Sequence, residues 1–296
     1  MRKQFTETTK KILKDNKNAL LILGDIGVYG FREDIEKKQS RAINIGILEQ
    51  STISFAAGIS KAGMIPIVHT IATFMVNRAF EQLKIDFGYQ NLNGNFISVG
   101  ASYDYAALGC THHCPEDINL MSNIPNMNII IPGNSEEFDV LFNQAYKKKS
   151  PKYFRLSSDE NYITNRITFG KANILNQGNK ITVIAVGPVL NFVLEECVKK
   201  KLNLLYFTTV RPFDTKIFDK LENQTDKFII VEPYYLSSIS SEILKKYKKK
   251  KIKIKNISIP IKFLNNYGNK SIHHNKLGFN KDSFSREIKL MLKEND

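Results

Sequence analysis

Glu49 is a carboxylate that lies between an apolar run ending at Gly46 and a stretch of small and apolar residues, in the segment NIGILEQSTISFAAG. This pattern predicts a helix that begins at Glu49 and carries the acid in its first turn. An acid at that position is commonly there only because its charge is favourable at the positive end of the helix dipole. From spacing alone, therefore, Glu49 is either an ordinary helix-start acid or a carboxyl group available for chemistry.

The second candidate for chemistry is the segment from Cys110 to Cys114, which reads Cys-Thr-His-His-Cys. Four side chains that bind zinc stand within five residues, so a metal site is one interpretation. Neighbouring residues cannot easily surround a tetrahedral ion, however, and no second pair of ligands is spaced to complete a structural zinc site. We therefore predict no metal site in this segment.

Both candidates need a framework, and the first half of the chain alternates short apolar runs with amphipathic stretches. This alternation predicts a parallel sheet covered by helices. The expected strands are residues 19–23, 42–45, 65–69, 96–99 and 128–131, and the expected helices are residues 5–13, 49–61, 77–89 and 135–146. Ser135 is expected to be the N-cap of the last of these helices, and residues 103–114 are expected to be irregular.

The second half repeats the pattern on a smaller scale, after a polar stretch between Ser157 and Lys171. Strands are expected at residues 180–186, 204–207, 227–231 and 252–259, and helices at residues 190–199 and 240–248. We therefore predict an α/β fold with two domains, residues 1–160 and 170–296. Each domain is expected to be a mainly parallel sheet with helices on both faces.

Composition excludes several classes of protein. The 296-residue chain is 42% hydrophobic, which is enough for two sizeable cores, and no apolar run approaches the length of a membrane span. Its three cysteines do not form the framework of a small secreted fold. The net charge of +14 comes from lysines spread along the chain, and the densest basic run, residues 245–255, is typical of a solvated edge. We expect a cytoplasmic protein that binds neither nucleic acid nor membrane.

Short motifs occur in a fixed order along most of the chain. They are Gly24-Asp25, Gly46-Ile47-Leu48-Glu49-Gln50, Thr73-Phe74, Arg78-Ala79-Phe80-Glu81-Gln82, Gly109-Cys110-Thr111-His112, Ile124-Pro125-Asn126-Met127, Val183-Ile184-Ala185-Val186-Gly187, Arg211-Pro212-Phe213-Asp214 and Val231-Glu232. In this order they resemble the motifs of transketolases, deoxyxylulose-phosphate synthases and the beta subunits of 2-oxoacid dehydrogenases. The resemblance implies a pyrimidine-binding domain for thiamine diphosphate, followed by a transketolase C-terminal domain.

The resemblance also implies a role for each matched residue. Glu49 matches the acid that hydrogen-bonds a ring nitrogen of the cofactor's aminopyrimidine and so helps to activate thiamine diphosphate. His112 matches an imidazole near the reacting carbons, which makes it the second catalytic candidate and a substrate ligand. The resemblance further implies that the cofactor is bound by Asp25, Gln50, Phe74 and Phe80, and that either Phe74 or Phe80 packs on the pyrimidine. It implies that the substrate is bound by His113 and Arg155 as well.

Several positions depart from the pattern with which this family binds sugar phosphates. Gly100 stands where many members have a histidine, Tyr29 where a serine is expected, and Ser158 where an arginine is expected. The loss of several phosphate donors together argues against an ordinary pentose or hexose phosphate as the substrate. We expect transfer of a two-carbon ketol unit between sugars, with an unusual or nucleotide-linked sugar as the acceptor.

The Gly-Asp-Gly motif that would bind the cofactor's diphosphate and Mg²⁺ is missing from the sequence. We therefore expect a separately encoded N-terminal partner subunit that carries this site, in a two-plus-two heterotetramer with active sites at the interface. Two alternatives stay open. The chain could be the beta subunit of a 2-oxoacid dehydrogenase or decarboxylase, or a non-catalytic partner subunit with the same fold.

Overall fold

The computed structural model describes residues 1–236 and 238–293, and its strands form two sheets. The strands are β1 (Ala19–Leu23), β2 (Ala42–Asn44), β3 (Ile65–Ile71), β4 (Gly94–Val99), β5 (Asn128–Ile130), β6 (Pro151–Arg155), β7 (Asn173–Asn176), β8 (Thr182–Val186), β9 (Asn203–Phe207), β10 (Thr209–Arg211), β11 (Lys227–Tyr235) and β12 (Lys253–Ile259).

The first sheet has seven strands in the order β10-β5-β6-β4-β3-β1-β2. From β5 to β2 all neighbouring strands run parallel. Every residue of β4 and β6 is buried, as expected for parallel strands whose sheet is covered on both faces. The carboxyl ends of these strands meet at one edge of the sheet, which is where open α/β sheets bind ligands.

The second sheet has five strands in the order β12-β11-β8-β9-β7, and only its edge strand β7 is antiparallel to its neighbour. Strand β10 comes from the second half of the chain but pairs antiparallel with β5 of the first sheet. Strand β10 was not predicted, because a strand of three residues is too short to show an alternation of apolar and polar side chains. Residues 156–172 contain no helix or strand, and a domain division in this stretch stays a prediction.

The α-helices are α1 (Arg2–Asp15), α2 (Arg32–Ile35), α3 (Glu49–Lys61), α4 (Phe80–Gln82), α5 (Asp117–Ser122), α6 (Ser135–Ala145), α7 (Leu190–Lys199), α8 (Ile239–Lys246), α9 (Lys270–Lys276) and α10 (Lys281–Lys293). Shorter 3₁₀ turns lie at Val28–Phe31, Ala106–Leu108, Cys110–His112 and Thr215–Lys220, and π-helical segments at Phe74–Arg78 and Leu83–Tyr89. Within the described residues, no helix combines the length and the apolar character that a membrane crossing requires.

Helix α6 begins differently from the prediction, which placed Ser135 at the N-cap. Asn134 is the cap, and its Oδ1 accepts a hydrogen bond of 2.9 Å from the backbone N–H of Glu137. The Ser135 hydroxyl instead donates to Glu160 Oε2 at 2.7 Å. Asparagine and serine are about equally good caps, so two such residues in a row do not reveal which one will be used.

The core of the first sheet contains a buried histidine, His69 of β3. Its Nδ1 lies 2.8 Å from the carbonyl oxygen of Ile97, and the Phe5 ring packs on it with 4.3 Å between ring centroids. Burial lowers the pKa of His69 from 6.5 to about 4, against the opposing effect of the hydrogen bond to Ile97. Neutral His69 is therefore part of the folded core.

We expect the free energy of unfolding to decrease as the pH falls from about 6.5 towards 4, because the unfolded chain then binds a proton at His69 that the folded chain resists. A pKa that folding lowers from 6.5 to about 4 corresponds to about 3 kcal/mol. Urea denaturation at about pH 7.5 and about pH 4.5 measures the effect. The variant His69→Asn, whose amide can replace Nδ1 as a donor, should show a smaller pH dependence. Equal pH dependence in variant and wild type would contradict the prediction.

Candidate active site

Glu49 is the first residue of α3, as the sequence predicts, but its side chain is only 2% exposed. Its Oε2 accepts a hydrogen bond of 2.6 Å from Arg78 Nη1. Its Oε1 is also buried and has no hydrogen-bond partner among the residues that the structure describes. An acid that served only the helix dipole would be expected in solvent. A buried carboxyl oxygen without a partner is costly and is available to a ligand.

Arg78 and Phe74 connect Glu49 to His112. The guanidinium carbon of Arg78 lies 4.5 Å from the centroid of the Phe74 ring. On the Phe74 ring, His112 packs edge-on with 5.2 Å between ring centroids. Three residues to which the resemblance gives roles, Glu49, Phe74 and His112, therefore lie in one row although they come from three segments of the chain.

A π-helical segment, Phe74–Arg78, sets the geometry of this row. It follows β3 at the carboxyl edge of the sheet, and its wide turn places Arg78 where it can reach both Phe74 and Glu49. The sequence pattern predicts a single helix over residues 77–89. The structure instead has two π-helical segments separated by the short α4. Such distortions are rare and are frequent at functional sites.

His112 lies in a loop, residues 102–114, that we call the histidine loop. Its two ends are joined by backbone hydrogen bonds between Ser102 and Cys114, with N···O distances of 3.1 and 2.9 Å. Thr111 Oγ1 lies 3.0 Å from His112 Nδ1 and so restrains the imidazole ring. The ring is half-buried and packs against Phe74.

The two cysteines of the histidine loop are free thiols, Cys110 exposed and Cys114 buried. Burial raises the pKa of the Cys114 thiol well above its usual value, with smaller contributions from nearby acids. The thiol therefore stays protonated and is a poor metal ligand or nucleophile. In residues 1–236 and 238–293, no three His, Cys, Asp or Glu side chains are grouped so that they could hold a metal ion.

His113 has different surroundings from His112. It is buried, and its ring packs edge-on against Tyr103 and His273, with centroid distances of 4.8 and 5.3 Å. Burial lowers the pKa of His113, and the neighbouring His273 lowers it further. The neutral imidazole is thus part of an aromatic cluster behind the loop, and its contact with substrate stays a prediction.

The hydrogen bonds of Arg155 go to residues outside the row formed by Glu49, Phe74 and His112. Arg155 is 1% exposed and its Nε donates to Asp117 Oδ2 at 2.7 Å. The Tyr153 hydroxyl donates to the same carboxylate oxygen at 2.8 Å, and Arg155 Nη2 donates to Ser102 Oγ at 2.6 Å. These contacts are structural. The role of Arg155 as a substrate ligand stays a prediction that no observed contact supports.

The other implied cofactor residues lie around the same edge of the sheet. Asp25 is exposed and hydrogen-bonds through its carboxylate and its backbone N–H to the side chain of Asn44, at 3.2 and 3.0 Å. Gln50 is exposed next to Glu49. Phe80 is half-buried and packs on the apolar core, whereas Phe74 contacts both Arg78 and His112. This placement favours Phe74 as the ring that meets the pyrimidine.

Two parts of the site were not identified from the sequence. The first is Arg78, which belongs to the Arg-Ala-Phe-Glu-Gln motif. The match to this motif could have pointed to Arg78, but the resemblance gave the arginine no role. The second is a segment near the end of the chain, residues 267–274, that packs on the histidine loop. Nothing in its local sequence marks this contact.

The residues present fit the aminopyrimidine of thiamine diphosphate. The Oε1 atom of Glu49 offers a buried hydrogen-bonding group without a partner in the described part of the chain. Phe74 offers a half-buried aromatic ring near Glu49, and Arg78 contacts both residues.

Known proteins resemble this chain over most of its length. The model of the family described as transketolase, pyrimidine binding domain, matches residues 1–162. A protein of Rhodococcoides fascians, named an uncharacterized 33.6 kDa protein in the fasciation locus, is 31% identical over 81% of this chain and 77% of its own length. One of the subunits of an apulose-4-phosphate transketolase, from Phocaeicola vulgatus, is 27% identical over 79% of this chain and 78% of its own length.

A solved structure described as a split gene transketolase, inactive beta4 tetramer, superposes on this chain with a TM-score of 0.83. The match covers 99% of this chain and 97% of the other, at 21% identity, and at that identity it shows a shared fold. The family model covers more than half of the sequence and the Rhodococcoides fascians relative spans both sheets. The chain therefore belongs to the transketolase pyrimidine-binding-domain family.

Proposed function

We propose that this chain is the pyrimidine-binding subunit of a thiamine-diphosphate-dependent, transketolase-like enzyme that transfers a two-carbon ketol unit between sugars. The observation that carries the proposal is the buried Glu49 carboxyl group, with one oxygen held by Arg78 and the other without a partner in the described chain. Phe74 and His112 lie in the same row. This is the arrangement that the cofactor's aminopyrimidine and a sugar substrate would need.

Each side chain has a distinct task in this proposal. The cofactor supplies a carbon that can attack a carbonyl and then hold the resulting negative charge. Glu49 holds a proton at Oε1 for the pyrimidine ring nitrogen, and Arg78 fixes the direction of the carboxyl group. Phe74 orients the pyrimidine by packing, and His112 hydrogen-bonds a substrate hydroxyl or moves its proton.

A separately encoded partner subunit is supported by apolar surface beside Glu49. Ile47 and Leu48, directly before Glu49, are 63% and 56% exposed, and Phe55 and Ile85 nearby are also exposed. Such a patch indicates a surface that another chain covers. We propose a two-plus-two heterotetramer in which the partner holds the diphosphate and most of the Mg²⁺ ligands, located in the cytoplasm. The related split gene transketolase is described as inactive in its beta4 form.

An unusual sugar as substrate is supported by the surroundings of Gly100. A Cβ placed on Gly100 would lie 2.6 Å from the Tyr105 ring, so Tyr105 occupies the space of any side chain there. Tyr105 in turn packs edge-on to His112 at 6.3 Å between ring centroids. An aromatic ring that contacts His112 thus fills the space that a histidine side chain at position 100 would occupy. The relative from Phocaeicola vulgatus carries the name of an apulose-4-phosphate transketolase.

The proposal is tested by reconstitution with the partner, which is sought as a neighbouring reading frame with the Gly-Asp-Gly motif. The two chains are co-expressed and screened with ketose donors, phosphorylated and unphosphorylated, for two-carbon transfer. We expect transfer that requires both chains and thiamine diphosphate. Reduction of a lipoyl acceptor by the pair would instead indicate a 2-oxoacid dehydrogenase, and failure of the pair to bind the cofactor would indicate a non-catalytic subunit.

A further inference from the structure

Residues 267–274, which we call the C-terminal clamp, pack against the histidine loop from the other half of the chain. The Tyr267 ring covers Gly109 so closely that a Cβ placed on this glycine would lie 2.8 Å from Tyr267 Cε1. Gly109 also has a φ of +79°, which other residues rarely adopt. The loop and the clamp therefore fit each other at a position that only glycine can occupy.

Lys270 of the clamp joins the histidine loop by charge. Its Nζ pairs with Asp104 Oδ1 of the loop and with Asp159 Oδ2, the latter at 2.6 Å. The side chain of Asp104 is 5% exposed and that of Lys270 is 15% exposed. The Asp104 carboxylate also accepts hydrogen bonds from the backbone N–H and the hydroxyl of Ser158, but these groups carry no charge. Removal of Lys270 would therefore take away a positive charge that pairs with a largely buried carboxylate of the loop.

His273 joins the clamp to the loop by packing. It is buried, and its ring lies edge-on to Tyr103 and to His113, with centroid distances of 5.2 and 5.3 Å. His113 directly follows His112 in the chain. The clamp thus contacts the residue next to the catalytic candidate.

The histidine loop has little internal structure of its own. Its ends are joined by one isolated bridge, and between them lie only two 3₁₀ turns of three residues each. Apart from that bridge, the backbone hydrogen bonds within the loop join residues only three positions apart, and a segment held in this way opens easily unless it is packed on other segments. The clamp provides that packing through Tyr267, Lys270 and His273.

We propose that Lys270 and His273 are positioning residues, which order the histidine loop so that the His112 ring stays edge-on to Phe74. The catalytic part of this inference rests on the proposed function. The ordering of the loop is a property of the folded chain and can be measured without turnover. Residues from the second half of the chain would then affect the rate of the reaction without contacting Glu49, Phe74 or His112.

Hydrogen–deuterium exchange of the full chain, followed by mass spectrometry, tests the ordering. We expect amides of residues 102–114 to exchange about tenfold faster in Lys270→Met than in wild type. Lys270→Arg keeps the charge and should restore slow exchange. Lys276→Met is the matched control, because Lys276 lies on the same helix and contacts Asn266 Oδ1, at 2.8 Å, instead of the loop. His273→Ala should act like Lys270→Met, and His273→Phe, which keeps a ring, should act like wild type.

The catalytic readout uses the enzyme reconstituted with its partner. We expect kcat to fall about tenfold in Lys270→Met while the dissociation constant of thiamine diphosphate stays unchanged, because the loop lies beside the pyrimidine site and not in it. Exchange in Lys270→Met and His273→Ala equal to that in Lys276→Met would overturn the inference, as would faster exchange with an unchanged kcat. An inactive wild-type pair would refute the proposed function, and the exchange data would then decide the ordering alone.

Discussion

Replacement of Glu49 by glutamine is expected to lower the kcat of the reconstituted enzyme by roughly 10³-fold, the size of effect that loss of a positioned proton donor usually has. Glutamine keeps the shape of the side chain and can still accept the hydrogen bond of Arg78. It has no carboxyl proton to hold at the position of Oε1. The loss should therefore appear in kcat, with little change in the melting temperature.

Glu81→Gln is the matched control for this experiment. Glu81 lies in the adjacent helix α4 and is exposed, so its replacement should change neither kcat nor the melting temperature. Steady-state transfer rates measure the comparison, with the pair of chains at equal concentration. A Glu49→Gln enzyme that retains a large part of the wild-type rate would show that this carboxyl group does not act on the cofactor.

Replacement of Asp117 by asparagine is expected to destabilise the chain by about 3–5 kcal/mol, the cost of leaving a buried charge without its partner. The side chains of Arg155 and Asp117 are 1% and 0% exposed and form a hydrogen-bonded pair with 2.7 Å between Nε and Oδ2. Burial raises the pKa of Tyr153 well above its usual value, so its hydroxyl stays neutral and donates to the same carboxylate. Asparagine cannot balance the guanidinium charge.

Urea denaturation of the isolated chain measures this loss, and Glu242→Gln serves as its control. Glu242 pairs with Lys245 at 2.8 Å on an exposed helix surface, where such a pair contributes at most about 1 kcal/mol. The double variant Asp117→Leu, Arg155→Met should be more stable than Asp117→Asn, because no unpaired charge is left. Similar losses for Asp117→Asn and Glu242→Gln would contradict the assigned role of the buried pair.

Much of the framework was predictable, because its signals are local. Strand β1 and helices α3 and α7 lie at the predicted residues, since each is a short apolar run or an amphipathic stretch with a clear start. The placement of Glu49 at the start of α3 follows from the same signal. The burial of Glu49 does not follow from that signal, because Arg78, which binds its carboxyl group, lies 29 residues away in the sequence.

The remaining features depend on contacts that no local pattern contains. The π-helical segment Phe74–Arg78 could not be predicted, because a helical periodicity of 3.6 residues does not reveal it. The burial of Arg155 depends on Asp117, 38 residues away, and that of Asp104 depends on Lys270, 166 residues away. The resemblance assigned Arg155 to the substrate, and that assignment stays a prediction. The partners of Arg155 in the structure are Asp117 and Ser102.

The central claim is that Glu49 of this chain activates thiamine diphosphate in a site completed by a partner subunit. The most direct test is the rate at which the thiazolium C2 proton of the bound cofactor exchanges with deuterium from solvent, followed by NMR after acid quench. This rate does not depend on the identity of the sugar. We expect fast exchange in the complex of wild-type chain and partner, and exchange roughly 10³-fold slower with Glu49→Gln. Equal exchange rates in the two complexes would contradict the account.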